Sequence, residues 1–339
     1  MYPTPVSRVF AFMGQPRSRF GHLLAWGLLV GVGVVTAIAL ISSHFGWPLY
    51  LELLSHFQRQ YWGLSVLGMG TIGLTRRRLP FCLSLLCVTA LTAQLLPWYL
   101  PPHFVAASEP GNYRILIANV NRQNRDFEAV LQWAQQTNPD LALFMEVDAR
   151  WVEQLSPLQA ELPHMAGQDR DDNFGLVLYS RYPLTTAEMV NFAADSMPSI
   201  VATTTVQGES LAIVGTHPLP PVNRQYFQSR NRQLEQLGQY LQTVELPQVV
   251  IGDFNITMWS PYYRRWQQQT GLKNVRHGFG ILPSWPSAES FPPLPSWLTP
   301  WLAIPIDHGL VSPELTVGRV QIGPDIGSDH RPVVLDLMI

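Results

Sequence analysis

Gly327-Ser328-Asp329-His330-Arg331-Pro332 stands immediately before the apolar run Val333 to Met338, and Gly252-Asp253-Phe254-Asn255 follows a second run, Gln248 to Ile251. Short apolar runs bounded by Gly and Pro read as buried strands. Both blocks therefore place acid, amide and imidazole groups at strand ends, where a paired backbone holds the side chains in register. Groups of that kind at strand ends are what metal-assisted attack on a phosphate ester requires.

Strand-like and helix-like patterns alternate on either side of these blocks. Tyr113 to Ala118 is β-rich. Asp126 to Thr137 carries Phe127, Val130, Leu131 and Ala134 at helical spacing, with Asp126 as N-cap and Asn138-Pro139 as stop. Leu141 to Met145, Phe174 to Tyr179, Ile200 to Val206 and Leu211 to Gly215 read as strands, and Arg230 to Leu241 as a helix with Leu234, Leu237 and Leu241 on one face. Further strands are expected around Val249 and over Ile306 to Val311, Val317 to Ile322 and Val333 to Met338. Many strands with interspersed helices imply two packed sheets covered by helices. The segment 283–305 is different in kind: Trp285, Pro286, Pro292, Pro293, Trp297 and Trp301 recur without a period, as in a functional or unstructured loop.

The first hundred residues differ from the rest. Leu23 to Ser43 is an uncharged run long enough to cross roughly 30 Å of hydrocarbon, and Leu79 to Leu100 is another. Tyr61 to Thr75, between them, is apolar but shorter. Arg8, Arg17 and Arg19 precede the first run and Arg76, Arg77 and Arg78 precede the last. Both clusters lie on the cytoplasmic side if the middle segment also crosses. The expected organisation is an anchor of about three transmembrane helices over 1–100, a Pro-rich linker over 101–112 and a catalytic domain over 113–339 outside the cytoplasm. A cleaved signal peptide is the alternative for the first run, opposed by the apolar runs that follow it.

Seven of the 22 Lys and Arg but only one of the 24 Asp and Glu, Glu52, precede residue 101, which leaves a formal charge of −8 beyond it. That balance lacks the broad positive footprint of a non-specific nucleic-acid binder. Both cysteines, Cys82 and Cys87, fall in the last apolar run, so no disulfide staples the soluble part.

The polar strand ends fall in one order: Asn119-Val120-Asn121, Glu146, Gly215-Thr216-His217-Pro218, Asp253-Phe254-Asn255, Ile306-Asp307-His308 and Ser328-Asp329-His330. Asp253 and Asn255, two apart on extended chain, share a face. Singly, each has a plainer reading. Asparagine after a strand forms turns, a glutamate at a strand end is solvated, Asp148 suits a helix cap, and His308 points away from Asp307 as a structural residue. Together and in order they resemble the endonuclease/exonuclease/phosphatase superfamily, from about Tyr113 to the C-terminus. With the apolar N-terminal helices and the His-Pro pair, the chain looks most like a membrane-anchored bacterial branch of it.

The resemblance implies a four-layer α-β-β-α sandwich of two packed mixed sheets, preceded by transmembrane helices. It implies Glu146 as principal ligand of Mg2+ (or Mn2+), with Asn121 and Asp329 on the metal side. The position of Asn121 is often acidic in the family, so ligation there would use a neutral oxygen. By the same resemblance Asp253 activates water, Asn119 and Asn255 address the phosphate, and His330 with Asp307 serves the leaving group or transition state. His217 matches a second histidine that some branches replace. The substrate class implied is a phosphodiester or phosphomonoester: a lipid head group, nucleic acid or a soluble phosphoester. The lipid bilayer is the other expected partner, and no protein partner is identifiable. A tethered binding protein without turnover and an extracytoplasmic nuclease are the competing readings.

Overall fold

The computed structural model describes residues 19–103, 105, 111–287, 295 and 297–339. Arg8, Arg17, Pro292 and Pro293, named above, lie outside them. The chain divides into two compact units, one made of the chain to Leu40 with Arg59–Gln94, the other of Ile41–Gln58 with Leu95–Ile339. Ile41–Gln58, placed in the anchor from sequence, thus counts with the second unit.

Among the described residues four α-helices precede the sheets: α1 (Arg19–Phe45), α2 (Leu49–Leu54), α3 (Gln58–Leu74) and α4 (Arg78–Leu95). Among the described residues two helical stretches are long and apolar enough to cross a membrane, Arg19–Phe45 with 27 residues and Arg78–Trp98 with 21. α3, which covers most of the expected middle span, has 17 residues. At 1.5 Å per residue it reaches about 26 Å, at the lower end of the roughly 17–25 residues that span a bilayer. Within the first unit the Trp62 indole donates to Thr92 Oγ1 at 2.9 Å. A Cβ at Gly68 would come within 2.6 Å of Val32 Cγ2, so the glycine permits close helix approach.

The second unit holds two six-stranded sheets. The first contains β1 (Tyr113–Asn119), β2 (Leu141–Met145), β3 (His164–Gln168), β4 (Leu176–Ser180), β11 (Thr316–Ile322) and β12 (Val333–Met338), in the order β11-β12-β1-β2-β4-β3. The second contains β5 (Leu184–Val190), β6 (Ser199–Val206), β7 (Glu209–Gly215), β8 (Gln248–Asp253), β9 (Lys273–Asn274) and β10 (Asp307–Val311), in the order β5-β6-β7-β8-β10-β9. Each sheet is mixed: β1 and β2 are parallel, as are β7 and β8, and the remaining neighbours are antiparallel.

Alternation along β1 shows how the layers form. Ile115 and Ile117 enter the core between the sheets with Leu143, Ile213, Val249 and Leu335. Leu116 and Ala118, on the other face, pack with Phe144, Val130, Ala134 and Trp151 under α5 (Phe127–Thr137) and α6 (Ala149–Leu155). A strand buried on both faces is continuously apolar, which is why β1, β2, β4 and β12 stand out in the sequence. α7 (Arg224–Leu241) and α8 (Pro261–Thr270) flank the second sheet, through Gln248 Nε2 donating to Leu241 O and Trp266 meeting Phe254 edge-on at 5.6 Å. The last helix, α9 (Thr299–Leu302), is a single turn. The result is the expected sandwich of two mixed sheets with helices.

Several elements differ from the sequence reading, with α6, α8, β9 and α9 not expected from it. β3 and β5 are largely solvent-facing edge strands without an apolar run. α7 begins six residues before Arg230, because Asn223 caps it by accepting from the Tyr226 N–H at 2.9 Å.

Candidate active site

Strand direction collects the polar blocks at one end of the sandwich. Asn119 ends β1, Glu146 follows β2, Thr216 and His217 follow β7, and Asp253 ends β8. β10 and β12 run antiparallel to these, so their beginnings, at Asp307 and just after His330, come to the same end. Asp307 is the register partner of Asp253, and His308 that of Gly252. Directly opposed residues share a face, so the two carboxylates meet while His308 turns away. His308 packs against Phe254 and Tyr263, its Nε2 is 2.8 Å from Ile256 O, and burial lowers its imidazole to about 3.

The centre of the cluster is Asp253. Its Oδ2 accepts from Asn119 Nδ2 at 3.4 Å and lies 3.5 Å from His217 Nε2 and 3.6 Å from His330 Nε2. Its Oδ1 accepts from the Asn255 N–H at 2.9 Å. Asp307 Oδ2 holds His330 Nδ1 at 2.9 Å. Burial opposes the charge on His330, but Asp307 and Asp253 outweigh it and push the imidazole up to about 10. His217 is also raised, Asp253 and Glu146 overcoming the opposing effect of burial.

Asn119 donates to Glu146 Oε1 at 3.0 Å as well as to Asp253, so its amide hydrogens are shared between two carboxylates. Asn121 donates to Asp329 Oδ1 at 2.8 Å, while its own oxygen accepts from the Gln123 N–H at 2.9 Å. Asn255 Nδ2 donates to Pro218 O at 3.0 Å, which leaves its second amide hydrogen for another acceptor. Every residue in the expected site is therefore in one network or beside it. Glu146, His217, Asp253, Asn255, Asp329 and His330 line a common pocket of about 920 Å³. Asp148, by contrast, caps α6 by accepting from the Trp151 N–H at 3.1 Å.

Backbone strain marks the same positions. Asn121, Glu146 and Asn255 have φ of 56°, 60° and 51°, a left-handed region uncommon for non-glycine residues, glutamate especially. Each follows a strand end; Glu146 and Asn121 bond to Asn119 and Asp329 respectively, and Asn255 meets Asp253 through its backbone N–H. Gly252, beside Asp253, has φ 146°, and a Cβ there would lie 1.8 Å from Thr216 O.

Two carboxylates, Glu146 and Asp329, offer hard oxygen donors suited to Mg2+ or Mn2+. Burial pushes the Glu146 carboxyl above its usual range, and the Asp329 charge adds to that against the pull of His217 and Asn119. A dication there would relieve the crowded negative charge, so these residues fit such an ion. The ligand atoms of Asp253, Asp307 and His330 also lie within 4.8 Å of one another. His330 is bonded to Asp307 through Nδ1 and turns Nε2 towards Asp253 Oδ2 at 3.6 Å, an arrangement suited to proton transfer.

Trp285 and Ser284 are members of the site that sequence reasoning did not single out. The Trp285 indole donates to Asp329 Oδ2 at 3.2 Å, and Ser284 Oγ accepts from the Asp307 N–H at 3.3 Å. The start of the Trp- and Pro-rich segment thus braces both acids. Its irregular tryptophan spacing was the one signal.

The family model described as Endonuclease/Exonuclease/phosphatase family matches residues 116–330. The chain belongs to this family. Family members are typically metal-dependent hydrolases of phosphoester bonds, nucleases among them. The fold of D. rerio TDP2, solved complexed with single strand DNA product, superposes with a TM-score of 0.56 at 16% identity, over 67% of this chain and 99% of that one. An endonuclease/exonuclease/phosphatase protein from Bacteroides vulgatus gives 0.53 at 18% identity, over 67% and 98%. Beta toxin from Staphylococcus aureus gives 0.50 at 14%, over 66% and 99%. At such identities the likeness is one of fold. No curated protein sequence matches the chain.

Proposed function

We propose that the protein is a membrane-anchored, divalent-metal-dependent phosphoesterase of the anchored bacterial branch, hydrolysing a phosphodiester or phosphomonoester by direct attack of water. The observation that carries the reading is Asp253 Oδ2, set within 3.6 Å of both His217 and His330 in a pocket shared with Glu146 and Asp329.

In this reading Asp253 takes a proton from water as the water oxygen bonds to phosphorus. The bond from phosphorus to the leaving oxygen breaks, and His330, held cationic by Asp307, gives that oxygen a proton or stabilises its charge. Asn255 donates to a phosphoryl oxygen as negative charge develops. Asn119 fixes Glu146 and Asp253 relative to each other, and Asn121 fixes Asp329. Mg2+ or Mn2+, held by Glu146 and Asp329, supplies Lewis acidity towards the phosphate oxygens when bound.

Anchoring rests on α1 and Arg78–Trp98. Placement of the catalytic unit outside the cytoplasm rests on the Arg19 and Arg76–Arg78 flanks, which share one side when α3 crosses between them as the middle span. The test is turnover of bis-p-nitrophenyl phosphate by the purified full chain with Mg2+, with Mn2+ and with chelator, beside Asp253→Ala. Metal-dependent turnover lost in the variant is expected. No turnover with either metal sinks the enzyme reading in favour of a tethered binding protein, and equal turnover in the variant sinks the role of Asp253.

A further inference from the structure

The catalytic pocket has two chemically different sides. Beside the acids and imidazoles, Leu53, Phe57, Phe174, Pro221, Val222 and Ile304 line it with apolar surface. Leu53 belongs to α2 and Phe57 ends the 3-10 turn Ser55–Phe57. One wall of the pocket is therefore built by the short stretch between two apolar helices, and the chain runs into it within a few residues of the last turn of α1.

That wall is fastened to the catalytic loop. Glu52 Oε1 lies 3.3 Å from Arg230 Nη2, both side chains without exposed surface, and Arg230 Nη1 donates to Asn255 O at 2.8 Å. His56 Nδ1 is 2.9 Å from Thr257 Oγ1, and the Tyr262 hydroxyl donates to Trp47 O at 2.7 Å. The placement of Leu53 and Phe57 is thus specified by buried polar contacts to residues 255–262. Apolar surface also continues outward: Val222 is 73% exposed, and it shares a neighbouring groove with Tyr50, 81% exposed. A small or wholly polar phosphoester would leave this side facing water. A substrate with an alkyl or acyl chain next to its phosphate would bury it, at roughly fourfold in binding per methylene.

Resting on the phosphoesterase reading, we infer that Leu53 and Phe57 form a chain-binding subsite and that the substrate is a membrane lipid phosphoester. Its phosphate is held by the acid and imidazole side and its apolar chain by the wall from α2. The hydrolysis balances as above: water enters at phosphorus, and the leaving oxygen departs with a proton.

The test compares p-nitrophenyl ethyl phosphate with p-nitrophenyl octyl phosphate, using the full chain in nanodiscs with Mg2+. The leaving group is identical, so the octyl-to-ethyl ratio of kcat/KM reports the chain alone. A ratio of at least about 100 is expected for wild type if four or more methylenes are buried. It should fall about tenfold or more in Phe57→Ser and largely recover in Phe57→Leu. A ratio near one in wild type overturns the subsite while leaving the phosphoesterase reading intact. An unchanged ratio in folded Phe57→Ser also overturns it, since partitioning into the bilayer then explains the preference. Absence of turnover of both esters sinks the underlying reading instead.

Discussion

Glu52 and Arg230 form an ion pair with no exposed side-chain surface, joining α2 to α7 across 178 residues of chain. Burial by itself would raise the Glu52 carboxyl, but Arg230 and His56 override it and bring it down to about 2 from an ordinary 4.5. A carboxyl depressed on folding adds stability above its unfolded value and loses it as pH falls through the folded one. The contribution, about 3 kcal/mol, is therefore complete above about pH 4.5 and lost between there and pH 2. Urea unfolding of wild type and Glu52→Gln should differ by about 3 kcal/mol or more at pH 7, where the variant leaves Arg230 buried and unpaired. The difference should shrink as pH drops below 4.5. A gap that does not change from pH 6 to pH 3 would contradict the pairing.

Asp307→Asn keeps the shape of the carboxylate and removes its charge from His330. Loss of a general acid or of its orienting group costs about 10²- to 10⁴-fold. We expect kcat on bis-p-nitrophenyl phosphate to fall by that much while circular dichroism is unchanged. A kcat within about threefold of wild type would mean that the Asp307–His330 pair is structural.

Glu146→Gln removes a charged oxygen donor while retaining the hydrogen-bond acceptor for Asn119. The Mg2+ concentration for half-maximal activity should rise roughly 100-fold, as for loss of a metal-site interaction. Mn2+ binding followed by electron paramagnetic resonance should weaken in parallel. Unaltered Mn2+ binding would place the ion elsewhere.

Gly252→Ala puts a Cβ against Thr216 O and forces φ of 146° on a residue that resists it. Backbone strain of this kind costs about 1–3 kcal/mol, or roughly 2–4 °C of Tm per kcal/mol in a unit of this size. Thermal melts should show a loss of several degrees. An unchanged Tm would mean that β8 relaxes without cost.

The legible parts of the fold were the strands buried on both faces. β2 and β12 carry no polar interruption to confuse their bounds apart from Asp336, which pairs with Arg114 at 2.7 Å. Edge strands β3 and β5 were illegible because half or more of their side chains meet water, so no apolar run or alternation betrays them. The Arg- and Gln-rich α8 escaped for a similar reason: only Pro261, Tyr263 and Trp266 of its ten residues are buried. In the site, Asp253 and His330 were readable because each ends or precedes an apolar run. Trp285 was not assigned, since its partner Asp329 lies 44 residues away across a loop.

The sequence by itself determined that acids, amides and imidazoles stand at strand ends, because strand periodicity and turn residues are local properties of the chain. It also determined that long apolar helices precede them. Only the tertiary structure decided which of those groups touch. Asp253 meets Asp307 through antiparallel register, Asn119 is shared between Glu146 and Asp253, and Glu52 with Leu53 and Phe57 joins the catalytic unit. Such contacts depend on burial and pairing between residues far apart in sequence, where desolvation makes a buried charge such as Glu52 tolerable only once its partner has arrived.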